Sequence, residues 1–425
     1  MARINKYHGM KIFQRLSDNS LPIQWHHFLF YILLVAVIPH TGFWFDLNND
    51  WPRWSYYAFE HGLSQIYNSD TNYMPFYLHG LYWFGKMQGS KELIYGNSYQ
   101  LKYFFLLFDF GCALSLAWAL RKYYSVKFIE YLLLFNLGYL YCTIIWGQLD
   151  SVPTTMVVLG IICLYERKML WAAFFCTLSI YVKLQAIIFV PFFVILLVYQ
   201  FSQKFDKWLL AKMLGISLLT QLWLLSPFIV GGTFWNFVKV VRESVGFFPR
   251  VSWNAYNLWY LLIKEDPTLL NDTLTFAGLT YKKWGFFLFF GSSALVFIPL
   301  LFRTYILVRF KKLADRDYYA LVWLTAATIA TLFFFVNTQM HERYSYPAIA
   351  LYFAYALMTG QYSLFAMISV AHLANVDGMN KYFGLNPFKP EYTALLFGLI
   401  LLISFIKLFN WTKSIRLAHN KQANI

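Results

Sequence analysis

The chain has 425 residues, 59% hydrophobic, 22% aromatic and 13% charged, with a mean hydropathy of +0.48. This excludes a string of soluble domains and reads as a polytopic membrane protein. The net charge of +15 belongs, in such a chain, to basic loops held against an anionic leaflet, and no nucleic-acid partner is expected.

In chain order, the basic stretch "MARINKYHGMKIFQR" leads into a long apolar run without a small-residue cleavage site, so a retained first span is expected rather than a signal peptide. Runs of roughly 17–25 residues, enough to cross a bilayer, lie near 25–45, 100–120, 127–146, 151–165, 169–182, 185–201, 210–231, 284–302, 318–337, 344–360, 362–376 and 392–411. The expected fold is therefore an all-α bundle of about twelve transmembrane helices, in a single domain covering 1–425. Its outer loops would be 46–99, with interfacial helices, 232–283 and 377–391. The piece 74–87 is read as interfacial, because a span there would send the basic turn "RKYYSVK" outward. With that choice the inner segments hold 20 Lys/Arg, including Arg3, Lys6, Lys11 and Arg15, against 13 in the much longer outer loops. Both termini are then cytoplasmic by the positive-inside rule. No repeat stands out, and Cys112, Cys142, Cys163 and Cys176 sit inside apolar runs with neither zinc nor disulfide spacing.

This orientation places every unusual polar cluster on the outer face. Asp46 and Asp50 follow the first span; either carboxylate, partly shielded from water, can act as a general base, and either can cap the helix containing Pro52. "WGQLDSVP" sets Gln148 and Asp150 at the end of a span, as sugar-binding groups or as a helix cap. Lys183 and Gln185 interrupt "SIYVKLQAIIF"; the lysine either meets an anionic phosphate or snorkels to the surface. "FFPRVSWNAYNLWY" supplies Asn254 and Asn257 among aromatics, suited to sugar faces or to an aromatic belt. "TQMHERYSYP" brings His341, Glu342 and Arg343 together, with Arg offering a fork for phosphate oxygens and His titrating near neutrality. Asp109, inside a span, is read as a structural polar contact.

Together, "DWPRWSYYAFEHGLSQIY…NYMPFY", "WGQLDSVP…KLQAIIFVPF", "SWNAYNLW" and "MHERYSYPAIAL" resemble the GT-C fold glycosyltransferases. In particular they are similar to the bacterial polyprenyl-phosphate-mannose-dependent mannosyltransferases and the related eukaryotic glucosyl- and mannosyltransferases of glycan and GPI-anchor assembly. Asp50, Tyr57-Ala58, Gly62 and Tyr73-x-Pro75 follow the family order, with Met74 standing where a second Pro is usual. The resemblance implies transfer of a hexose, by preference mannose, from a polyprenyl-phosphate carrier to a glycan or glycolipid hydroxyl, with inversion. Neither a metal nor another cofactor is expected, the lipid-phosphate sugar being a co-substrate, and membrane lipids are the surrounding partners. Lys183, His341 and Arg343, with Gln185, would hold the phosphate; Asp50 or Asp46 would be the base. Gln148, Asp150, Asn254, Asn257, Tyr73 and Glu342 would contact sugar or acceptor. The active site would be extracytoplasmic, in a bacterial cell membrane rather than the endoplasmic reticulum. A glycan polymerase or ligase is the alternative, and a lipid or sugar transporter a more distant one.

Overall fold

The computed structural model describes residues 23–42, 45–385 and 389–423. Arg3, Lys6, Lys11 and Arg15, on which part of the charge asymmetry rests, lie outside the described residues, as do residues 386–388 of the expected loop 377–391. Helix accounts for 75% of the structure, as so apolar a chain demands: away from water, a helix satisfies its backbone N–H and C=O groups within one segment. The longer helices are α1 (Trp25–Val37), α2 (Trp51–His61), α3 (Pro75–Gln88), α4 (Leu101–Leu120), α5 (Ser151–Tyr165), α6 (Met169–Val182) and α7 (Val190–Gln203). They continue as α8 (Lys207–Val230), α9 (Phe234–Glu243), α10 (Tyr281–Arg309), α11 (Arg316–Val336), α12 (Tyr346–Thr359), α13 (Ser363–Asn380) and α14 (Pro390–Ala423).

Among the described residues, six segments are long and apolar enough to cross a membrane: Ser98–Leu120, Leu184–Gln203, Lys207–Val230, Tyr281–Arg309, Arg316–Val336 and Pro390–Asn410. Shorter apolar helices accompany them, so the architecture is compatible with an all-α, multi-pass membrane protein. Leu214, Leu218, Phe287 and Phe290 point outward from α8 and α10, as residues facing hydrocarbon would. At the centre, α11 is buried along almost its whole length against α10, α12 and α14.

One expected span is not continuous. The stretch 127–146 is divided into turns at Tyr131–Leu134 and Leu137–Leu140 and a π-helical segment, Tyr141–Trp146. Asn136 causes the break: its backbone is extended and its side chain accepts from the Tyr139 N–H, which starts a new helix rather than extending the old one. Gly147 then stops the π-helical segment in the left-handed region, at φ 79°. The ambiguous piece forms α3, whose 14 residues span about 21 Å at ~1.5 Å per residue, short of a hydrocarbon core of about 30 Å. It packs on α2, where Ser55 Oγ donates to Leu81 O at 2.7 Å.

The bundle has two chemically different ends. At one, the basic turns converge: Arg316 donates to Met358 O at 2.5 Å, Tyr123 bonds Tyr165 at 2.8 Å, and Arg303 pairs with Asp315 at 2.6 Å. At the other lie the acidic and aromatic loops, tied by a short parallel ladder between β1 (Ser252–Trp253) and β4 (Met340–His341). A small hairpin of β2 (Thr275–Phe276) and β3 (Leu279–Thr280) completes that loop layer.

Candidate active site

Asp46 and Asp50 lie on a π-helical turn, Asp46–Asp50, that runs directly into α2. Capping by Asp50 is corrected: its backbone is already helical, so its carboxylate has no orphan N–H to reach. It instead accepts from Arg53 at 2.7 Å, and Arg53 also pairs with Asp70 at 2.7 Å. Partial burial raises the Asp50 carboxyl above the usual carboxylate range, with Arg53 opposing and Asp46 and Asp70 adding to the effect. Asp46 faces the other way: Gln148 Nε2 donates to its Oδ2 at 2.7 Å, and Glu342 and Tyr344 are within its electrostatic reach.

Asp150 is the centre of the site. Its backbone is helical and its side chain makes no cap. Oδ1 accepts from Lys183 Nζ at 2.5 Å while Oδ2 lies 3.3 Å from Arg343 Nε. Lys183 therefore does not snorkel. It breaks the backbone between α6 and the 3-10 turn Leu184–Phe189, adopting an extended conformation that turns its ammonium inward, 4.6 Å over the Tyr344 ring. Arg343 stacks on Trp146 at 5.3 Å and donates to Glu342 at 3.2 Å. Asp150, Glu342 and Arg343 are at most 8% exposed.

Burial raises the Glu342 carboxyl to about 7, with Arg343 opposing. Burial also opposes the Arg343 charge, but Asp150 and Glu342 outweigh it and the guanidinium stays charged. His341 is driven well below its usual value by burial, then by Arg343 and Lys183, so its imidazole is neutral at pH 7. The ring stacks with Trp253 at 5.9 Å, meets Phe248 edge-on, and leaves Nε2 buried with no hydrogen-bond partner among the described residues. A network of this kind is poor at stabilising a fold, since desolvating each ion costs several kcal/mol; it is well suited to receiving another charged group.

From Asp150, Lys183 and Gln185 a narrow groove runs between Pro153, Val157, Phe189 and Phe333, and its walls are otherwise almost wholly apolar. Tyr73 packs against Trp54 and Tyr77 at 5.4 and 5.2 Å, with Asp46 and Arg343 in electrostatic reach.

Two expected contact residues are engaged with neighbouring backbone. Asn257 is fully buried, and its Nδ2 donates to Phe334 O and Asn337 O, both at 3.2 Å, so its amide braces the backbone there. Asn254, in the left-handed region at φ 55°, bridges His341 through its backbone, and its carbonyl accepts from Asn375 at 2.8 Å. Asp109 accepts from the Tyr346 hydroxyl, and its carbonyl accepts from Tyr139 at 3.2 Å, a buried structural contact.

Sequence reasoning passed over Trp146, Tyr344 and Lys102. The first two stand inside the motifs "WGQLD" and "HERY" but look there like ordinary belt aromatics, and Lys102 looks like an interfacial anchor. No known family model and no curated protein matches this chain.

Proposed function

We propose that the protein is a membrane glycosyltransferase that moves a hexose, by preference mannose, from a polyprenyl-phosphate carrier to a hydroxyl of a glycan or glycolipid acceptor, with inversion. The observation that carries this reading is the pair Lys183 and Arg343, buried together on one carboxylate at the mouth of an apolar groove. A lipid phosphate has the same two parts, an anionic head and a long hydrocarbon tail. The head would displace or share Asp150, and His341 Nε2 would supply a neutral contact.

In the step itself the acceptor oxygen attacks the anomeric carbon and the bond from that carbon to the phosphate oxygen breaks. The acceptor proton passes to a carboxylate, and the departing polyprenyl phosphate keeps the electron pair of the broken bond. Lys183 and Arg343 stabilise the charge that grows on the phosphate. Asp46, held by Gln148 and facing the cluster, is the favoured base, whereas Asp50 is occupied by Arg53. The extracytoplasmic face of a bacterial cell membrane is the proposed setting.

Purified protein incubated with polyprenyl-phosphate-mannose and a glycolipid acceptor is expected to release free polyprenyl phosphate. Lys183→Ala should weaken donor binding by tenfold or more, in keeping with ~1.5–3 kcal/mol for a hydrogen bond to a charged group. Release that is absent from the wild type with mannose, glucose, galactose and arabinose donors would remove the proposal.

A further inference from the structure

We infer that Lys102 is a positioning residue for this site, holding the segment that carries Asp46 and the turn that carries Gln148 and Asp150 in one register. The inference rests on the reading of the site given above. Lys102 lies in the first turn of α4 and is fully buried. A lysine at the end of an apolar helix ordinarily extends its stem toward water. Here Nζ turns inward and reaches Thr41 Oγ1 at 3.0 Å, Gly42 O at 2.8 Å, Ile144 O at 2.9 Å and Ile145 O at 3.3 Å.

Those oxygens come from two segments of chain. Thr41 and Gly42 follow the 3-10 turn Ile38–His40 that closes the first apolar segment; Ile144 and Ile145 close the π-helical segment Tyr141–Trp146. The last carbonyls of a helix lack partners within it and carry partial negative charge, which the ammonium offsets at Ile144 and Ile145, while Thr41 Oγ1 and Gly42 O tie it to the other segment. One ammonium serves both. Thr41 Oγ1 adds a second tie by donating to Ile144 O at 2.8 Å. Gly147 completes the junction: a Cβ there would lie 2.9 Å from Lys102 Cε and 3.0 Å from Leu47 Cδ2, so the lysine stem, the turn and the residue after Asp46 are packed without room for a methyl group. Just beyond this junction, Gln148 meets Asp46. These four oxygens belong to Thr41, Gly42, Ile144 and Ile145, on either side of the junction. Lys102 acts through the backbone there.

The test uses the full chain in detergent. Lys102→Met keeps the apolar stem and removes the charge. Amide hydrogen exchange should quicken by roughly tenfold or more in peptides covering 45–50 and 141–149, given ~1.5–3 kcal/mol for a charge-assisted hydrogen bond, and stay unchanged in α11. Unaltered exchange in those two segments overturns the inference. If Lys102→Met does not fold, Thr41→Val takes its place, with the same local pattern expected and its absence equally fatal. In a transfer assay Lys102→Met should lower kcat by about 10²-fold, the scale of a 1 Å misplacement, leave the Kd for a non-hydrolysable donor analogue unchanged, and be partly rescued by Lys102→Arg. A donor affinity that falls in step with kcat overturns the positioning role. Wild-type protein without transfer would defeat the enzymatic reading alone, because the exchange measurement does not depend on it.

Discussion

Asp46 and Asp50 are four residues apart and chemically identical, yet their surroundings separate them. Asp50 is held by Arg53 on the outer side of the turn; Asp46 points to Gln148 and the buried cluster. Asp46→Asn is therefore expected to lower transfer by about 10²–10⁴-fold, the range for loss of a general base, with donor binding retained. Asp50→Asn should cost less, and rate measurements on both variants at saturating donor decide between them. Glu342 gives a second handle. Its folded value of about 7 exceeds the ordinary carboxyl value of 4.5. Between those values the folded state holds the extra proton, so this group's contribution to stability is complete below 4.5 and is lost as pH rises through 7. His341 works in the opposite direction, since its folded value is depressed and stability is lost as pH falls below its ordinary 6.5. Comparing Tm for wild type and Glu342→Gln from pH 5 to 8 isolates the first effect. The variant's relative Tm should climb with pH and level off above 7; a flat difference would show that Glu342 does not titrate there.

At the scale of elements, the decisive feature is a helix that does not continue. The stretch 127–146 has the length and apolarity of a span, but Asn136 restarts it and Gly147 ends it, and just beyond the interruption Gln148 meets Asp46 and Asp150 meets Lys183 and Arg343. Gly147→Ala should be among the most damaging single substitutions here. A left-handed backbone costs an L-residue roughly 1–2 kcal/mol, and the added methyl group meets Lys102 and Leu47. A fall in Tm is expected, and a Tm equal to wild type would contradict the packing described. The composition of 127–146 announced an apolar helix, and the sequence also contained its breakers. What it did not show was that backbone polar groups freed by the break would find Lys102, which lies about forty residues away in the chain.

Across the whole molecule, basic turns gather at one end and the carboxylate and aromatic loops at the other. If the basic end is cytoplasmic, a membrane-impermeant maleimide should label Asn68→Cys in intact cells and Lys312→Cys only after permeabilisation; both positions are exposed. The reverse pattern would invert the orientation and place the site inside. The sequence by itself determined that the chain is apolar and helical and that its polar residues fall into a few separate clusters, because hydropathy and helix-breaking residues act locally. It also singled out Asp150, Lys183, Glu342 and Arg343, since ionisable groups bordering apolar runs are conspicuous. Only the tertiary structure decided that Asp150 holds two cations, that Asn257 is a backbone brace, that Asp46 rather than Asp50 faces them, and that Lys102 joins two segments of chain. Each depends on which distant atoms a buried charge meets, and a buried charge takes whatever partner the packing brings within about 3 Å.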